Sequence, residues 1–213
     1  KNKDEKNKDE KNKDEKNKIN NKTKKKTNKK KITNNKNNTF NKDDFNSGDG
    51  MLTSVWGPSL WHYLHTMSFN YPVKPTNEDK KNYKKFIMSL KHVLPCKYCR
   101  NNLRKNLKKV PLTKDSLKDR DGFSRWMYNL HEHINKMLNK KSNLSYCDVR
   151  ERYEHFRSRC TDEKSKVIQV VKKENGCVEP LYGQKSKCVI KIVPKEKREA
   201  TFQMDKKCIK RRR

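Results

Sequence analysis

Between residues 51 and 157 the apolar positions of this chain fall at helical spacing, and the stretches on either side carry few of them. In the first block Trp61, Leu64, His65 and Ser68 recur at i, i+3, i+4 and i+7, which puts them on one face of a helix. Pro58 is placed for the first turn, where its missing amide donor is not needed. Tyr71-Pro72 ends the block, because the residue before a proline is pushed out of the helical region. Thr76, with Asp79 three residues on, predicts the N-cap of a second helix, whose apolar stripe is Tyr83, Phe86, Ile87, Leu90 and Val93. Pro95 breaks that stripe and opens a third helix bearing Cys96, Cys99, Leu103 and Leu107. Residues 111–121 read as a loop. Phe123, Trp126, Met127, Leu130, Ile134, Met137 and Leu138 mark a fourth helix, and Ser145 caps a short fifth through Val149, Tyr153 and Phe156. Short connections between such helices predict an all-α fold, a four-helix bundle with a short fifth helix.

The flanks read differently. Residues 1–15 repeat Lys-Asn-Lys-Asp-Glu, and Lys- and Asn-rich sequence runs on to about residue 38. With almost nothing apolar to bury, this stretch cannot offset its chain entropy and predicts a disordered arm. Past Cys160 two β-like runs, 167–171 and 188–193, predict a small hairpin-like appendage, and Lys210 to Arg213 close the chain as a charged end. The expected organisation is a Lys/Asn-rich arm over 1–50, a folded domain over 51–160 and a basic appendage over 161–213.

Composition narrows this picture. The 213 residues carry a formal net charge of +31 and only 30% hydrophobic residues, too few for one core along the whole length. The basic excess extends beyond the arm, so contact with polyanions through the basic surface is expected. One reading of the chain is accordingly a basic nucleic-acid-associated protein that uses the bundle as a scaffold, with strongly salt-dependent binding. No run approaches the roughly 20 apolar residues of a membrane span, and no apolar signal-peptide core opens the chain. Seven cysteines, an odd number, favour a redox pair plus accessory thiols in a reducing compartment over a secreted disulfide scaffold. The expected location is the cytoplasm, or the host cytoplasm or virion if the source is viral.

The chemistry concentrates at Leu94-Pro95-Cys96-Lys97-Tyr98-Cys99. Zinc would need two further ligands, and no second Cys-x-x-Cys exists. A thioredoxin-type pair would need a βαβ context, whereas the flanking residues follow a helical period. Two buried structural thiols are a third reading. A redox-active pair at a helix N-terminus is the fourth: there the helix dipole favours the thiolate at Cys96, and Cys99 one turn on closes the disulfide. A dithiol cannot pass electrons to oxygen without a cofactor, and no Gly-x-Gly-x-x-Gly follows a strand. Trp61 and His65 lie one turn apart, as do His131 and Asn135. Their ring planes could sandwich an adenine between helices, with Asn135 bonding a ring edge.

In order and spacing, residues 56–65 (Trp-Gly-Pro-Ser-Leu-Trp-His-Tyr-Leu-His), Tyr71-Pro72, Pro95 to Cys99, and His131-Glu132-His133-Ile134-Asn135-Lys136 resemble the Erv/ALR family of FAD-linked sulfhydryl oxidases, in particular those of large DNA viruses. The resemblance covers about residues 52–157. It implies a helical bundle that holds FAD, a homodimer, thiol-bearing protein substrates of thioredoxin-like or structural kind, and O2 as acceptor giving H2O2. It assigns Cys99 to the flavin and Cys96 to exchange with incoming thiols. Cofactor contacts are implied for Trp56, Gly57, Trp61, His65, Tyr71, His131, Asn135, Lys136, Leu138, Lys140, Lys141, Arg152 and Tyr153, the basic residues among them suiting a pyrophosphate. No metal ligands are implied. Two departures stand out. Glu132 replaces the Asn that usually follows the histidine, and Tyr128 stands where many members have the cysteine that pairs with Cys147. That staple is expected to be absent unless Cys147 bonds Cys160. Cys177, Cys188 and Cys208 are candidates for a shuttle pair, or are free thiols or a local staple.

Overall fold

A computed structural model of the protein describes residues 42–161 and 176–209. The chain divides into two units, 1–47 and 48–213. Of the first, the described part holds one helical turn, Lys42–Phe45. The arm over 1–41, the β-like run 167–171 and the terminal 210–213 lie outside the described residues.

The second unit carries the helices α1 (Thr53–Phe69), α2 (Asn77–Val93), α3 (Lys97–Lys109), α4 (Arg120–Met137) and α5 (Tyr146–Glu154). α1 begins more than one turn before Pro58, which sits inside the helix. The early start is braced by packing: Trp56 lies against the core and its indole N–H donates to the Met51 carbonyl at 3.1 Å. Thr76 and Ser145 form full capping boxes with Asp79 and Asp148, each satisfying amides that a helix start leaves without partners. α1 packs on α4 and α5, α2 on α3, and α3 on α4. The core between them is built from Leu64, Tyr71, Ile87, Leu90, Leu103, Phe123, Trp126, Met127 and Leu130. Phe69, Tyr146 and Val149 form a smaller cluster under α5. The connection to α4 contains one 3-10 turn, Asp115–Leu117. It is tied down by Tyr71, whose hydroxyl donates to the Leu117 carbonyl at 3.0 Å.

Some apolar positions read as core are not. Val93 is 67% exposed, and Met137 and Leu138 are 45% and 52% exposed, each lying at the C-terminal end of its helix. The β-like run 188–193 forms no strand: Val189, Ile190 and Ile192 face solvent. The described sheet pairs β1 (Ser158–Thr161) antiparallel with β2 (Gly176–Pro180) instead. Branched side chains give a run β propensity, but pairing also needs tertiary contacts that bury one face, and this run stays exposed. No helix among the described residues is long and apolar enough to cross a membrane.

Candidate functional site

Cys96 and Cys99 are joined as a disulfide, with a Cα–Cα distance of 5.1 Å. Cys96 is the N-cap of α3, and its sulfur accepts the Cys99 amide at 3.2 Å. Both cysteines are half-buried, while Lys97 and Tyr98 between them face solvent. Cys99 packs toward the core, with its sulfur 3.8 Å from the Thr53 hydroxyl in the first turn of α1. The loop before α3 is locked to the start of α1: the Met51 amide donates to the Pro95 carbonyl at 2.8 Å. A Cβ at Gly50 would lie 2.7 Å from that carbonyl, so only glycine fits this close approach. The sulfur pair therefore sits at one end of α1, and Trp61 follows about 12 Å along its axis by helical rise.

That second position is a cluster of rings. Trp61 and His131 are stacked face to face, centroids 3.8 Å apart and planes 6° from parallel. His65 Nε2 is hydrogen-bonded to His131 Nδ1 at 2.9 Å. His65 also stacks on Tyr153 at 5.3 Å, and Tyr153 on Phe69 at 5.4 Å. The two rings, one on α1 and one on α4, touch directly. His65 is buried and His131 half-buried. Desolvation takes the His65 pKa down to about 3, helped by the neighbouring His131 and His62. Desolvation likewise takes His131 to about 4, with Glu132 opposing and Lys140 assisting. Both imidazoles are neutral at physiological pH. His62 Nδ1 and His65 Nδ1 are buried with no hydrogen-bond partner, a costly state for a protein that offers nothing else at the position.

Four of the residues singled out in the sequence, Trp61, His65, His131 and Tyr153, are thus brought together. Trp56 and the buried Gly57 lie on α1 between this cluster and the sulfurs. Asn135 is one turn beyond His131, and its amide donates to Glu132 at 2.9 Å, so the departure at Glu132 occupies one of its donors. Lys136, Leu138, Lys140 and Lys141 are exposed on the last turn of α4 and the segment after it. Lys140 is within electrostatic reach of His131. The structure gives two more of the named residues the following surroundings. Tyr71 is fully buried against Tyr83 and Phe123 with its hydroxyl already used, and serves the core. Arg152 lines a separate hollow of about 290 Å³ with Leu144, Asp148, Glu151 and His155. Ring contacts with the cluster that the sequence did not single out come from His62, Phe156 and Phe202. His62 shares the i, i+3 spacing with His65 that could have flagged it, whereas nothing local marks Phe202. Cys147 is a free, exposed thiol, so it bonds no other cysteine; Cys188 and Cys208 are also free, and Cys177 is disulfide-bonded.

The Erv1 / Alr family matches residues 58–157. A protein of Acanthamoeba polyphaga mimivirus that bears the name of a FAD-linked sulfhydryl oxidase is 37% identical over 104 residues, covering 49% of this chain and 72% of that protein. The chain belongs to the Erv1/Alr family. An African swine fever virus FAD-linked sulfhydryl oxidase is 32% identical over 99 residues, 46% of this chain and 80% of its own length. The yeast Erv1 core crystal structure is 26% identical, covering 55% of this chain and 92% of that one, with a TM-score of 0.44. Of this Erv1/Alr chain, residues beyond 157 lie outside the family match.

Proposed function

We propose that this chain is a FAD-linked sulfhydryl oxidase that forms disulfides in thiol-bearing proteins through Cys96 and Cys99. The observation that carries the reading is a disulfide at a helix N-terminus, packed against the helix whose next turns enter a cluster of neutral imidazoles and aromatic faces. The residues present fit FAD. Stacked rings offer faces for its flat systems. Two buried imidazole Nδ1 atoms lack a protein partner. Lysines at the end of α4 supply positive charge for a pyrophosphate. When bound, FAD supplies a two-electron acceptor whose electrons pass to O2, giving H2O2.

The protein's own groups carry the thiol chemistry. A substrate thiolate attacks the Cys96 sulfur, the Cys96–Cys99 bond breaks, and Cys99 leaves as a thiolate. A second substrate thiolate attacks its partner in the mixed disulfide and releases Cys96. The substrate gains one disulfide, and two electrons rest on the Cys96–Cys99 pair. The amide ends and dipole of α3 stabilise the negative sulfur at its N-cap. Cys99 packs toward the core beside Thr53, which supports its role as the sulfur that reacts with the cofactor.

Purified full-length protein tests this. It is expected to be yellow, with flavin absorbance eluting at the mass of two chains, and to consume O2 when given dithiol. Cys99→Ala is expected to keep the flavin and lose that consumption. A protein that takes up no FAD, or a Cys99→Ala variant that oxidises thiols at the wild-type rate, refutes the reading.

A further inference from the structure

The segment over residues 176–209 lies outside the family match, yet one of its side chains is built into the ring cluster. Phe202 is half-buried, with its ring 5.4 Å from His62, 6.4 Å from Tyr153 and 6.1 Å from Phe156 between centroids. His62 in turn meets Tyr153 at 5.7 Å and Phe156 at 5.8 Å. Phe202 therefore packs on His62 and Tyr153 from a segment outside the five helices. The buried Nδ1 of His62 has no partner, and that of His65, one turn along α1, has none either. Desolvation lowers the His62 pKa, so the ring presents a neutral nitrogen. Apolar walls around unpaired neutral nitrogens are what a flat heteroaromatic ring with edge donors or acceptors requires.

The segment that carries Phe202 is fastened to the bundle. The Leu181 amide donates to the Arg157 carbonyl at 2.8 Å, extending the β1–β2 ladder. The Arg157 guanidinium bonds both Glu154 and the Phe69 carbonyl, tying that ladder to α5 and α1. Further on, the Gln184 amide donates to the Lys207 carbonyl at 3.0 Å. Gly183, at φ +65°, comes so close that a Cβ there would lie 2.9 Å from the Cys208 carbonyl carbon. The two ends of the 184–207 loop are closed on each other, and Phe202 is held within it.

Resting on the function proposed above, we infer that this segment completes the cofactor site and that Phe202 is a cofactor-binding residue. It forms the outer wall that holds a ring system of FAD against Tyr153 and within reach of the His62 nitrogen. Phe202 is no plug of the space the cofactor takes, and the two roles differ in sign. Removing a wall weakens FAD binding, whereas removing a plug tightens it.

The test uses full-length protein stripped of flavin and titrated with FAD, following quenching of flavin fluorescence. Phe202→Ala is expected to weaken FAD about tenfold, the scale of one lost aromatic contact, and to speed flavin release. Phe202→Tyr is expected to restore near-native affinity, which separates a ring requirement from general damage, with circular dichroism matching across the set. Equal or tighter binding by Phe202→Ala, with wild type binding normally, overturns this inference alone. Failure of the wild-type protein to bind FAD overturns the proposed function, and the inference with it.

Discussion

Lowering the pH should unfold this protein earlier than its carboxylates would, because His65 and His131 are folded in the neutral form. The ordinary histidine pKa of 6.5 governs the unfolded chain, against about 3 for His65 and about 4 for His131 in the folded one. Below pH 6.5 the unfolded state binds more protons than the native state, so stability falls as pH falls, and each loss continues down to the folded pKa. At about pH 5 each histidine is some 1.5 units below its unfolded value. At about 1.4 kcal/mol per unit, that is about 2 kcal/mol each, or about 4 kcal/mol for the pair. The limiting slope is about 2.7 kcal/mol per pH unit, two protons. His62, lowered in the same direction, adds to it. Asp121 and Glu154 are held below their ordinary carboxylate values, chiefly by bonds to Arg125 and Arg157, so their contribution disappears only at lower pH. The window from pH 6.5 to 5 therefore reports the histidines. Urea unfolding followed by circular dichroism at intervals across it gives the slope, and His65→Asn with His131→Asn should flatten it. Stability constant to within about 1 kcal/mol between pH 7 and 5, or an unchanged slope in the double variant, would refute the claim that these imidazoles are buried and neutral.

Tyr71→Phe removes the donor to the buried Leu117 carbonyl and is expected to cost about 1–3 kcal/mol; a urea midpoint matching wild type would show that the hydroxyl has no such role. Cys147→Ser should shift the melting temperature very little, since surface changes of this kind stay within about 0.5 kcal/mol. It should also remove one thiol that reacts with a disulfide reagent in the native protein, and a drop of several degrees would mean that Cys147 is bonded.

The helices were legible because their signals are local. Thr76–Asp79 and Ser145–Asp148 announce helix starts through atoms three residues apart, and the stripe through Phe123, Met127 and Leu130 repeats at the pitch of the helix it becomes. Cys96 and Cys99 were legible for the same reason: one turn of α3 brings them into bonding range whatever surrounds them. The misreadings fall where a neighbour decides. Val93 has the right spacing for the core, but at the end of α2 it stays exposed. The run 188–193 has the composition of a strand but stays exposed and unpaired in any sheet among the described residues.

By itself the sequence determined the order of helices, the disulfide pair at the start of α3, and the kinds of side chain present for cofactor chemistry, because each depends on residues within a turn or two. Only tertiary structure decided that His65 bonds His131 across 66 positions and that Trp61 lies flat on His131. It also decided that Phe202, distant along the chain, closes over His62. Those contacts join separate elements, and their cost is chain closure and desolvation, which no local pattern of residues records.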